Sequence, residues 1–210
     1  MQPGAEVSGE SRTFVEIARR AQIVEATIET IAEVGYAQAS FARIAERLGI
    51  SRGLISYHFA NKDDLIKQVV HEAAEQAIAY IRPRILAAPA GPAMLRAYIE
   101  ANLAFMRGYR NKTIAIVEIA RSAEARRIFL SDSDTIDAVQ ALADLLSGLQ
   151  RGGQLRPDFD PRVMAITIRA AIDAVSPRLA SEPEFDFDKY ASEIANTFET
   201  ATRIETQNVP

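Results

Sequence analysis

Apolar side chains recur at spacings of three and four along almost the entire chain, and no alternating apolar–polar run is long enough for a strand. β-branched residues stand singly inside stretches rich in Ala, Leu, Glu and Arg. Such a chain buries its stripes by packing helix on helix, so the expected fold class is all-α. Ile17, Ala21, Val24, Ile28 and Ile31 make one stripe on a first helix predicted over 13–34, and Gly35 follows where a left-handed cap is wanted. Ser40 is a candidate N-cap for a short helix 41–48, which Gly49 interrupts, and Ser51 caps a second over about 52–58. Asn61, with Asp64 three residues on, starts a long helix that is predicted to stop at about Arg82, because Pro83 lacks the backbone donor.

Ala87–Pro92 (AAPAGP) reads as a linker, and further helices are predicted near 93–109, 112–129, 133–150, 160–176 and 186–203. Asp160 before Pro161 suits a helix start, Gly152 and Gly153 close the helix before it, and Pro177 and Pro183 bracket a short connection. Residues 1–11 are expected to be a disordered tail, 12–60 a small N-terminal helical domain, 61–82 a connecting helix and 83–210 a larger helical body.

Composition narrows the function classes. With 210 residues, 48% of them hydrophobic, the chain can bury a sizeable core. It has no run of eighteen apolar residues, so no membrane span is expected, and MQPGAEVSGESR carries neither the basic nor the apolar region of a secretory leader. The absence of cysteine excludes disulfides and thiolate metal sites and fits a reducing cytoplasm, and two histidines are too few for a histidine-rich metal cluster. No nucleophile elbow, phosphate loop, paired-histidine zinc motif or dinucleotide fingerprint is present, so no catalytic residue, metal or cofactor is expected. The net charge of −4 hides a balance of +1 over residues 12–67, less basic than a nucleic-acid domain usually is. DNA binding would therefore depend on where the cations are placed.

Residues 41–59, FARIAERLGISRGLISYHF, are the informative stretch. Ile44, Ala45 and Leu48 share one face of the first short helix, with Ile50 and Ile55 available to close over it. Gly49 can take the positive φ of a sharp interhelical turn. A short helix, a glycine turn and a second short helix make a helix-turn-helix, whose second member enters the DNA major groove. On that helix Ser51, Arg52, Gly53, Ser56 and Tyr57 fall at the start and outer face, followed by His58 and Lys62. Arg52 suits guanine or phosphate, hydroxyls suit phosphate oxygens, and Gly53 suits close approach to the backbone.

The run Ala21–Leu65 resembles the DNA-binding domain of tetracycline-repressor (TetR) family regulators. Matching features are Gly35-Tyr36, Ser40, Ile44-Ala45, Gly49-Ile50-Ser51, Gly53, His58-Phe59, and Asn61-Lys62 followed by Leu65. Many members carry tyrosine at the position of Ser56; here the order is Ser56-Tyr57, and this pattern looks like the betaine-regulator branch. The resemblance implies phosphate contacts from Ser40, Tyr57, His58 and Lys62, and base-facing roles for Arg52, Leu54 and Ser56. It implies packing roles for Ile44, Ala45, Leu48, Ile55 and Phe59. It also implies a repressor acting as a homodimer on a palindromic double-stranded operator, with the C-terminal body binding a small-molecule effector and dimerising.

In that body, Met94, Phe105, Met106 and Tyr109 have helical spacing and are candidates either for an effector cavity or for plain core. Glu118 interrupts TIAIVEIA (113–120); it is either a cavity carboxylate or an exposed partner of Arg121. Residues 163–175 are apolar nearly all round and need cover on both sides. The second cover is the centre of a monomer or another copy of the chain, and for the second case Ile166, Arg169, Ala170, Asp173, Ile194 and Phe198 are the candidate interface.

Overall fold

The computed structural model describes residues 6–125, 137–182 and 184–204. Helices account for the regular structure there: α1 (Glu6–Val34), α2 (Phe41–Leu48), α3 (Arg52–His58), α4 (Lys62–Ala87), α5 (Pro92–Gly108), α6 (Arg110–Arg121), α7 (Ala138–Arg151), α8 (Pro161–Asp173), α9 (Ser176–Ser181) and α10 (Phe187–Thr202). A single 3₁₀ turn, Tyr36–Gln38, joins α1 to α2, and no strand occurs among the described residues. The all-α class with an N-terminal helix-turn-helix and a larger C-terminal helical part is the architecture observed. The helix expected over 112–129 ends at Arg121, and the helix expected over 133–150 begins at Ala138 behind the Asp137 cap; Pro183 lies outside the described residues.

Other features also depart from the sequence reading. Helix α1 starts at Glu6, inside the stretch expected as a tail. Its buried residues are Ile23, Val24, Ala26, Thr27, Ile28, Thr30 and Ile31, whereas Ile17 is 61% exposed and Ala21 lies on the surface; of the predicted stripe, Val24, Ile28 and Ile31 are the buried members. Helix α4 runs through Pro83 to Ala87. The carbonyl that Pro83 leaves without its donor belongs to Ala79, on an exposed stretch where water can take the vacant bond. The supposed connection after Pro177 contains the short helix α9, with that proline in its first turn.

The chain groups into two compact units. The first runs to Ala73 and resumes from Ile114; the second comprises Ala74–Thr113 and the helices from α7 onward. In the first, Ile23, Ile28, Ile31, Ile44, Ile55, Phe59, Leu65 and Ile66 form one buried cluster that also takes in Ala115 and Ile119 of α6. In the second, α5 packs along α10 and α7 along α8, burying Leu95, Ile99, Leu103, Leu146, Ile168, Ile172 and Ala195. The loop between α7 and α8 is tied to the end of α10: the Arg156 backbone N–H donates to the Thr202 carbonyl at 3.1 Å, and its Nε donates to the Ala201 carbonyl at 2.5 Å.

Candidate nucleic-acid interface

The geometry of α2 and α3 follows from four small residues. Ser40 Oγ accepts from the Arg43 amide at 3.3 Å and Ser51 Oγ from the Leu54 amide at 3.2 Å, so each hydroxyl caps the helix it precedes. Gly49 sits at φ 63, ψ 33; its amide reaches Glu46 O at 3.1 Å and the Ile50 amide reaches Ala45 O at 3.0 Å, the paired bonds of a Schellman stop. That left-handed step turns the chain from α2 into α3. Gly35 also has positive φ, but at φ 79, ψ 162 it is extended rather than the left-handed helical cap expected from sequence. Its amide still closes α1 onto Ile31 O at 2.8 Å.

Helix α3 is pinned by its inner face. Ile55 and Phe59 are fully buried. The Arg20 guanidinium stacks over the Phe59 ring at 4.3 Å and donates to the His58 carbonyl, satisfying an acceptor left open at the end of α3. The outer face is what the sequence placed there: Ser51, Arg52, Gly53, Ser56 and Tyr57 are exposed, Tyr57 at 75%. The capping hydroxyls of Ser40 and Ser51 use a lone pair internally and keep their O–H free to donate to phosphate. A Cβ added at Gly53 would meet only Ser51 Oγ, at 3.8 Å, so nothing within the protein requires glycine there.

Three residues are less available than expected. Leu54 is half-buried. His58 is also half-buried; its ring meets Tyr57 edge-on at 5.1 Å, and its Nδ1 is buried without a hydrogen-bond partner. Lys62 is turned inward, donating to the Tyr36 carbonyl at 2.7 Å with its ammonium 3.9 Å from the Tyr36 ring. Burial holds its pKa below the ordinary lysine value, against the opposing pull of Glu124 and Asp63. A phosphate contact from Lys62 requires that ammonium to leave the Tyr36 carbonyl.

Residues 23–69 match the family model described as bacterial regulatory proteins, tetR family. The chain carries the tetR-family domain. HTH-type transcriptional regulator BetI 1 of Chromohalobacter salexigens is 39% identical over 97 residues, which are 46% of this chain and 47% of that protein. The chain thus matches about half the length of this relative. The solved structure of FadR from Bacillus subtilis in complex with stearoyl-CoA has a TM-score of 0.75 at 23% identity, covering 86% of this chain and 97% of that one. AibR in complex with isovaleryl coenzyme A and operator DNA has a TM-score of 0.71 at 19% identity, covering 85% and 97%. At these identities the likeness establishes a shared fold.

The candidate effector residues do not all come together. Phe105 and Tyr109 stack at 4.6 Å between centroids, and Tyr80 of α4, which sequence reasoning missed, lies 5.7 Å and 6.0 Å from them. Met106 is buried and Met94 half-buried on the same helix. Glu118 belongs elsewhere: it sits in the first unit, beside Gly35 and 3.7 Å from Arg121, the ordinary surface pairing. Two clefts of about 220 and 330 Å³ in the second unit are lined by none of these six residues and share Phe187 and the Arg107–Asp188 ion pair (2.7 Å).

The candidate pairing residues also divide. Phe198 is buried on α10, the helix that packs along α5, so it serves its own unit. Arg169 bonds Asn102 Oδ1 at 2.9 Å and Asp173 at 2.6 Å, and Ile194 is half-buried. Val163 (61% exposed), Ile166 (51%) and Ala170 stay open on α8, a stripe at helical spacing.

Proposed function

We propose that this chain is a DNA-binding transcriptional regulator and not an enzyme: a repressor released from its operator by a small-molecule effector. The observation that carries this reading is the outer face of α3, where Arg52, Ser56 and Tyr57 project while Ile55 and Phe59 anchor the helix from behind. Residues 12–60 read DNA, 61–82 connect, and 83–210 bind the effector and pair two copies. Arg52 and Ser56 face bases, and Ser40 and Tyr57 face phosphates. The open stripe Val163, Ile166 and Ala170 supports a homodimer, which would set two α3 helices in successive major grooves about 34–36 Å apart on a palindromic operator.

Two neighbours in fold support an effector, since FadR was solved in complex with stearoyl-CoA and AibR in complex with isovaleryl coenzyme A and operator DNA. In this chain the aromatic group Tyr80, Phe105 and Tyr109 is where an apolar effector portion would lodge. A coupling of roughly 1–3 kcal/mol between effector and DNA gives several-fold derepression. A cytoplasmic location fits a chain without cysteine. In keeping with that location, no helix among the described residues is long and apolar enough to cross a membrane.

The test is a mobility shift with the DNA flanking the chain's own coding sequence. Arg52→Ala is expected to relax preference at one base pair by roughly 1–3 kcal/mol, read by substituting that pair in the bound fragment. Gly53→Ala separates folding from binding. It should raise thermal stability, because alanine gains about 1 kcal/mol of helix propensity and no internal clash, yet weaken DNA binding by blocking close approach. Should Gly53→Ala bind as tightly as the parent, the outer face of α3 is not the contact surface.

A further inference from the structure

We infer that Arg43 is a phosphate-binding residue of the helix-turn-helix, with Gln38 as the residue that orients it; this rests on the DNA-binding reading above. The inference comes from asking what each cation of the motif and its supports already holds. Arg47 is committed to Glu29 and Glu33. Arg20 is committed to the His58 carbonyl and the Phe59 ring, and Lys62 to Tyr36. On α2 and α3 themselves that leaves two arginines, Arg43 and Arg52, with no carboxylate in ion-pair distance among the described residues. Since residues 12–67 carry a balance of only +1, the cations left uncommitted decide where an anionic backbone can settle.

The position of Arg43 is suited to that backbone. In helix-turn-helix docking the second helix enters the groove while the first crosses the phosphates. Arg43 is exposed in the first turn of α2, and its amide takes the Ser40 cap at the positive end of the helix. Its Nη1 donates to Gln38 Oε1 at 3.2 Å, from the 3₁₀ turn just before. That bond fixes the plane of the fork and leaves Nη2 and Nε for a bidentate grip on phosphate.

The experiment measures fluorescence anisotropy of a labelled mixed-sequence duplex, about thirty base pairs long, across roughly 50–200 mM salt. The parent protein and the variants Arg43→Ala, Arg43→Lys, Gln38→Ala and Arg47→Ala are compared after circular dichroism shows equal helix content. Arg43→Ala is expected to bind several-fold more weakly, and its log–log salt slope to lose about 0.9 for each protomer engaged. Arg43→Lys should keep the slope with weaker binding, Gln38→Ala should weaken binding with the slope kept, and Arg47→Ala should match the parent. If Arg43→Ala retains the full slope while the parent binds, Arg43 holds no phosphate and the inference falls alone. If the parent itself fails to bind DNA, the regulator reading falls and takes this inference with it.

Discussion

Phe59→Ala is expected to destabilise the protein by about 3–5 kcal/mol and to remove DNA binding. Phe59 is fully buried and ends α3, its amide donating to Ile55 O at 2.9 Å. Its ring is also the platform on which the Arg20 guanidinium rests, and the same arginine holds the last carbonyl of α3. Truncation therefore leaves a cavity and frees the clamp that orients the exposed face of the helix. Chemical denaturation followed by circular dichroism measures the loss. Phe59→Leu, which refills most of the volume, should lose distinctly less and retain binding. If Phe59→Ala unfolds at the parent's denaturant concentration, the account of how α3 is held is wrong.

Gly35→Ala is expected to cost about 2–3 kcal/mol, more than Gly49→Ala at about 1 kcal/mol, although both glycines have positive φ. At φ 63, ψ 33 Gly49 occupies a region that other residues visit at modest cost, and an added Cβ there meets nothing within 4 Å. At φ 79, ψ 162 Gly35 occupies a region that side chains essentially exclude. The added methyl would lie 3.5 Å from Glu118 Oε2, an ordinary contact, so the cost is backbone strain rather than collision. Removing the carboxylate should not help: the double variant Gly35→Ala, Glu118→Ala should be no more stable than Gly35→Ala alone in the same denaturation measurement. Recovery in the double variant would show that the glycine serves the carboxylate instead.

The motif was legible in the sequence because its determinants are local. Ser40 and Ser51 accept from amides three residues on, and the Gly49 amide donates to carbonyls three and four residues back, so a cap written in sequence is a cap in space. Ile44 and Ile55 were readable as packing residues from helical spacing, whereas Phe59 took that role from the family resemblance. What sequence misplaced depended on distant partners. Helical periodicity put Ile17 on the buried stripe, but whether a stripe is covered depends on what lies beside it, and the cover of α1 starts only near Ile23. For Glu118 the sequence left a cavity and a pairing with Arg121 open, and for Phe198 an interface and a monomer core; what stands beside them, Gly35 for the first and a unit built on α5 for the second, is remote in sequence. Lys62 looked like a free cation because its acceptor, the Tyr36 carbonyl, belongs to the backbone and has no signature in side-chain pattern. Pro83 misled in the opposite way: its local rule is sound, but an exposed helix turn absorbs the lost bond.

The Arg156 bonds to Ala201 and Thr202 mean that the tip of α10 is not an idle end. Its last carbonyls are occupied by a loop more than forty positions earlier in the chain. Unwinding the last turn of α10 therefore also releases the α7–α8 loop, so that loop and the final helix loosen together.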